Sequence, residues 1–199
     1  MNPLLYDAAK YTFRGVFTVV WRLRVHGAQN VPMRGPLIFA CNHVSYLDPP
    51  VLGCASPRRI SYMAKEELFR IPLLGAAIAA VGAYPVNRKG SATTAIKRSV
   101  EVLNNGGAIG IFPEGTRNLQ GDAEIRGGVS LLAALSKAPV VPARLVGTGS
   151  AKRLARFEVF FGAPVALPRD RKASREEMAN FTDDVMRAIR SLPESLARP

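Results

Sequence analysis

Histidine, cysteine and tryptophan are scarce in this chain: two, two and one among 199 residues. Two cysteines, Cys41 and Cys54, cannot build a disulfide framework, and a reducing compartment is the simpler expectation. Their spacing is not that of a zinc finger. No aromatic RNP-type stretch occurs, and neither does a G-x-x-x-x-G-K-[ST] loop, so these nucleic-acid and nucleotide classes are not indicated. No G-x-S-x-G elbow marks a serine nucleophile. Acidic residues are also few, 15 against 27 Lys and Arg, giving a net charge of +12. Such an excess suits an anionic partner: a nucleic acid, a lipid surface or a phosphorylated substrate. No block of five like charges forms a nucleic-acid-binding tail. An uncharged run of the ~20 residues that span a bilayer is missing as well; the uncharged stretches at residues 15–21 and 71–87 fall short of it.

What is present is a chain that is 48% apolar and 21% charged, enough for a full core in one domain. Residues 3–25 are rich in Leu, Tyr, Phe, Val and Trp, interrupted by Asp7, Lys10 and Arg14. They read as a helix, packed on the domain or lying in a membrane interface. They lack a basic start and a small-residue cleavage site, so a signal peptide is not expected. "GPLIFAC" reads as a turn and a buried strand over residues 37–41. Asp48 followed by Pro49 and Pro50 reads as a capped helix start. "RRISYMA" reads as a strand, and residues 65–82 as one apolar helix, with buried helix, turn and strand expected over 71–87. "AYPVNR", "AIGIF", "PVVPARLVG" and "RFEVFFGAPV" read as further strands, alternating with helices at "SATTAIKRSVEVLNN", "GGVSLLAALSKA" and "SREEMANF". The last opens on a capping box of Ser174 and Glu177. This alternation predicts an α/β fold around a single, largely parallel sheet flanked by helices.

In such sheets ligands bind beyond the carboxyl ends of the strands. Three polar clusters fall there: "NHVSYLD", "NRK" and "PEGTR". His43 with Asp48 five residues on has the composition of a general base whose tautomer a carboxylate fixes. The alternative is a satisfied loop histidine beside an aspartate that caps a helix, and the two roles are compatible. Ser45 and Cys41 each lie two residues from His43, but nothing marks either as an activated nucleophile. A base without a protein nucleophile would activate a substrate group directly. Arg88 and Arg117 are fixed cations suited to phosphate. Gly115 and Thr116 offer backbone N–H groups to an oxyanion, and Glu114 could accept a substrate hydroxyl or brace an arginine.

With these residues in view, the chain resembles the lysophospholipid/glycerophosphate acyltransferases. "NHVSYLD" resembles their N-H-x-x-x-x-D block, "GAYPVNR" their second, "FPEGTR" their third and "VVPARL" their fourth. Order and spacing agree over about residues 37–147. One departure is "EIRGG", with Ile125 and Arg126, where relatives usually carry F-K-x-G. The resemblance implies transfer of an acyl group from a thioester to the hydroxyl of a lysophospholipid, with His43 as base and Asp48 orienting it. It implies phosphate binding by Arg88, Glu114, Gly115 and Arg117; Asn42, Ser45 and Thr116 join the expected substrate-binding set.

The expected reaction makes phosphatidic acid from 1-acyl-glycerol-3-phosphate. Acyl-CoA or the acyl carrier protein thioester serves as co-substrate, with no bound cofactor and no metal. Expected partners are the two substrates, acyl carrier protein and a membrane surface, not nucleic acid. The expected location is the cytoplasmic membrane face, held peripherally by an amphipathic segment at residues 1–25 ahead of an acyltransferase domain at 26–199. The rivals are a different lyso-lipid acceptor and, in another class, a basic nucleic-acid-binding protein.

Overall fold

The structure, a computed structural model, describes residues 2–86, 92–114, 128–150, 155–168 and 171–194. Helix α1, Pro3–Trp21, starts where Asn2 accepts the N–H groups of Leu4 and Leu5, with proline in the first turn. It stops at Arg22, whose left-handed backbone turns its N–H back onto the carbonyl of Phe17. The helix expected through residue 25 therefore ends at Trp21, and Arg24–His26 become the edge strand β1.

The further elements are β2 Leu37–Cys41, α2 Asp48–Ala55, β3 Ser61–Lys65, α3 Glu66–Phe69, α4 Leu74–Ala80, β4 Ala83–Val86, α5 Ala92–Asn104, β5 Ala108–Ile111, α6 Gly128–Ser136, β6 Val140–Val146, β7 Glu158–Phe161 and α7 Arg175–Ser191. They form one 7-stranded mixed sheet in the order β1-β7-β6-β2-β5-β3-β4. Pairing is parallel except between β6 and β7. The predicted fold class is the one observed.

β2 lies at the sheet's centre, and all five of its residues are buried. Its alternating side chains serve two cores. Leu37, Phe39 and Cys41 join Phe17, Val51, Leu52, Phe157 and Phe161 beneath α1 and α2. Ile38 and Ala40 join Leu103, Val129, Leu132, Phe181, Val185 and Ile189 beneath α5, α6 and α7. A strand covered on both sides must be apolar throughout, which is why "LIFAC" shows no alternation. The capping box of α7 is present, with Ser174 and Glu177 exchanging bonds.

Two expectations fail here. Residues 65–82 are not one helix: Pro72 has no N–H and disfavours a helical residue before it, so α3 and α4 are separate. Nor is that segment buried, for only Gly75 of α4 is, and Ile71, Leu73 and Leu74 are exposed. Helix α1 buries Tyr6 and Phe17, yet its cations also turn toward the protein and several apolar side chains turn away. Asp7 pairs with Arg59, while Lys10 and Arg14 donate to the carbonyls of Ser56 and Cys54 at the end of α2. These cations satisfy carbonyls that a helix terminus leaves without partners. Leu4, Leu5, Tyr11, Val16 and Val19 face outward.

Candidate active site

Where β2 leaves the sheet, Asn42 takes over its pairing. The amide donates to the carbonyl of Leu145 at 3.0 Å and accepts the Leu145 N–H at 2.8 Å. The backbone ladder runs only as far as Cys41 opposite Ala143, so a side chain supplies the next rung to β6. Both ends of this amide are thus engaged by the protein, although the sequence suggests a substrate contact.

The chain then folds around one buried carboxylate. Asp48 Oδ2 receives the N–H of Val44 at 2.7 Å, the N–H of Ser45 at 2.7 Å and His43 Nδ1 at 2.8 Å. Asp48 is 0% exposed. Its neighbour Leu47 occupies the N-cap of α2, and Asp48 makes no capping bond to its own helix. The capping role expected from the sequence is therefore corrected: the carboxylate points back into the loop, because three donors converge there. Ser45 Oγ accepts the Leu47 N–H at 3.2 Å and closes the same turn.

Two backbone donors on Oδ2 make that oxygen an acceptor, so the ring proton of His43 sits on Nδ1. Nε2 is left with its lone pair and has no hydrogen bond to any described residue. The ring is 17% exposed. It stacks on Phe112 at 4.2 Å between centroids, and Phe112 stacks in turn on Tyr62 at 6.5 Å. Glu114, just past β5, accepts the backbone N–H of His43 at 3.3 Å. The first and third predicted clusters therefore meet, since β2 and β5 are neighbours. β4 stands three strands from β2, about 14 Å across the sheet. Arg88, Gly115, Thr116 and Arg117 lie outside the described residues.

Cys41 is not a nucleophile here. Burial, reinforced by the nearby Asp48 charge, holds its thiol well above the ordinary range. Its Sγ rests 3.5 Å from Asn42 Oδ1. Tyr62 is a participant that the sequence reading missed. Its phenol is pushed well above its ordinary value by burial. Gly110, paired opposite Tyr62, makes room for it: a Cβ there would stand 2.3 Å from the ring. The glycine within "AIGIF" was the available signal, since glycine inside a strand marks a close approach.

The site combines a histidine of defined tautomer with a buried carboxylate at the carboxyl edge of an α/β sheet, and no serine or cysteine nucleophile accompanies it among the described residues. A family model described as "Acyltransferase" matches residues 22–146. The 1-acyl-sn-glycerol-3-phosphate acyltransferase of Bacillus subtilis (strain 168) is 31% identical over 202 residues, covering 96% of this chain and 98% of its own. The chain belongs to the acyltransferase family. A protein of the same description from Streptococcus pneumoniae is 26% identical over 94% of this chain and 75% of its own. The lyso-ornithine lipid O-acyltransferase of Pseudomonas aeruginosa is 34% identical over 84 residues, 42% of this chain and 32% of its own. The crystal structure of the 1-acyl-sn-glycerophosphate acyltransferase PlsC from Thermotoga maritima superposes with a TM-score of 0.73. It covers 97% of this chain and 81% of its own at 24% identity, a likeness of fold.

Proposed function

We propose that this chain is a 1-acyl-sn-glycerol-3-phosphate acyltransferase, moving a fatty acyl group from acyl-CoA or acyl carrier protein to the free hydroxyl and yielding phosphatidic acid. The observation that carries the reading is the 2.8 Å contact between His43 Nδ1 and an Asp48 oxygen already pinned by two backbone donors. Its weight is increased by relatives of that description along nearly the full chain.

Nε2 takes the proton of the acceptor hydroxyl as its oxygen attacks the thioester carbonyl. A C–O bond forms and the carbonyl oxygen becomes an oxyanion. Collapse breaks the C–S bond, and the imidazolium returns the proton to the leaving thiolate. Asp48 stabilises the transient imidazolium through Nδ1–H. General-base assistance of this kind contributes roughly 10²–10⁴-fold. Arg88 and Arg117 are the groups for the acceptor's phosphate, matched by charge and fork geometry.

On this reading the reaction runs at a membrane surface, on its cytoplasmic side, and the outward face of α1 supports the first half of it. Leu4, Ala8, Tyr11, Gly15 and Val19 recur at helical spacing and leave an uncharged outward face on α1, with Leu4 83% and Val19 81% exposed. No described helix is long and apolar enough to cross a membrane.

The test is a transfer assay with 1-acyl-glycerol-3-phosphate, lysophosphatidylethanolamine and lyso-ornithine lipid, each with acyl-CoA and acyl-acyl carrier protein. Phosphatidic acid as the dominant product supports the reading. A preference for lyso-ornithine lipid would replace the acceptor, a second reading that the Pseudomonas relative favours. Absence of transfer with every pair would end both.

A further inference from the structure

The connection between β3 and β4 carries a second apolar projection. Leu73 has φ 63 and ψ −49, and the Leu74 N–H closes on the Pro72 carbonyl at 2.7 Å. That bond over three residues is the rarer, strained kind of γ-turn, unusual for a residue with a branched side chain. The turn is stabilised from behind, where Gly75 and Ala77 donate to the carbonyls of Ile71 and Leu73, and Gly75 packs against the backbone of Phe69. Its effect is to aim Leu73 outward at 87% exposure, with Ile71 at 47%, Leu74 at 42% and Leu68 at 36% beside it. A strained backbone that exposes a leucine is a feature that folding alone does not account for.

The geometry points to this tip as a second membrane-inserting element, seated in the interface of an anionic phospholipid bilayer. The inference rests on the membrane-surface reading above and adds a second foot to it. Charge and placement argue for the occupant. Residues 71–87 carry no charge, whereas the chain as a whole carries +12. An uncharged apolar tip on a strongly basic chain matches a bilayer with anionic headgroups, where apolar burial and the attraction of basic residues add to binding. Both crossovers, β2 to β3 through α2 and β3 to β4 through α3 and α4, step the same way across the sheet. Right-handed connections therefore put α3 and α4 on the side that α2 and α1 cover. Helix α1 and the segment carrying the Leu73 tip thus cover the same face of the sheet, with the His43 loop, which opens α2, between them in chain order. The segment that carries the tip leaves the sheet at the carboxyl end of β3, the edge at which His43 lies, and reaches Leu73 after α3.

Vesicle binding of the full chain tests this without recourse to catalysis. Glycine accepts positive φ freely, so Leu73→Gly keeps the turn and removes only the side chain. Leu73→Gly and Leu73→Glu are each expected to lower partition onto phosphatidylglycerol-containing vesicles roughly tenfold, with the Leu73→Gly melting temperature unchanged or raised. Both variants should keep the parent rate on acceptors dispersed in detergent. Because Cys41 and Cys54 are buried, an environment-sensitive dye on Leu73→Cys reports the tip selectively, and its emission should rise and shift to the blue on those vesicles. Unchanged partition in both leucine variants overturns the inference. So does a dye that stays as accessible to iodide on vesicles as in buffer, or a loss of self-association as the only effect. A Leu4→Glu/Val19→Glu variant of α1 separates the two readings: if it alone loses binding, the tip is not a foot; if the parent chain binds no vesicles, the membrane-surface reading itself fails.

Discussion

The two edges of the sheet are each held by one side chain that makes three hydrogen bonds, and they differ in what the third bond is for. At the amino edge, Arg58 donates to the carbonyls of Pro32 at 2.9 Å and of Gly35 and Gly106 at 2.8 Å. These residues lead into β2 and β5, and Arg58 itself leads into β3, so one guanidinium ties the entries of three neighbouring parallel strands. Burial lowers its pKa from the ordinary arginine value, and the guanidinium remains a cation. At the carboxyl edge, Asp48 receives two backbone N–H groups, and its third donor is an imidazole with a second nitrogen to offer. The same device gives stability where every partner is backbone, and chemistry where one partner can exchange a proton.

The comparison breaks most sharply at His43. His43→Ala should lower transfer by about 10²-fold or more while leaving the melting temperature near that of the parent; a variant retaining a tenth of the rate would mean that another group is the base. Asp48→Asn should lose turnover of similar order, because an amide no longer dictates the tautomer. It should also melt earlier, since the amide presents donors where donors already converge.

The opposite edge should respond in the opposite way. Arg58→Met leaves three carbonyls without their donor and is expected to cost about 2–3 kcal/mol in denaturant unfolding, with kcat per folded molecule unchanged. A fall in kcat at unaltered stability would show the two edges to be coupled. Asn42→Ala lies between these cases. It should cost about 1–2 kcal/mol by orphaning Leu145 N–H and C=O, and lower kcat about tenfold through a displaced His43, with KM for the acceptor unchanged. A raised KM alone would return Asn42 to the substrate.

The smallest effect belongs to the exposed start of α7. Arg171, followed by the backbone of Ser174, holds the Glu177 carboxyl down to about 2 from 4.5. A depressed acid contributes stability above its unfolded value, so this contribution is complete above pH 4.5 and is lost as pH falls toward 2. Glu177→Gln should remove that part of the acid dependence, a small change because the pair is exposed.

Legibility varied with the range of the interactions involved. The α7 capping box, the β2 strand and the parallel order of the elements follow from spacing within a few residues, and all stand as read. The separate α3 and α4 were also announced by Pro72, but the length of the apolar run obscured the break. The exposure of Ile71, Leu73 and Leu74 was not legible, because apolar composition does not say which face a fold leaves uncovered. The role of Asn42 was illegible for a similar reason: its partner Leu145 is 103 positions away.

By itself the sequence determined the α/β class, the placement of polar blocks after apolar strands, and the pairing of one histidine with an aspartate five residues on. Local patterns suffice for these, since strand burial, turn chemistry and short loops depend on neighbours in the chain. Only the tertiary structure decided that β5 lies beside β2, bringing Glu114 and Phe112 to His43. Only there did α1 turn Lys10 and Arg14 onto the end of α2 while leaving Leu4, Tyr11 and Val19 outward. Those choices depend on which backbone groups and side chains must find partners after the sheet has assembled, and the partners come from distant parts of the chain.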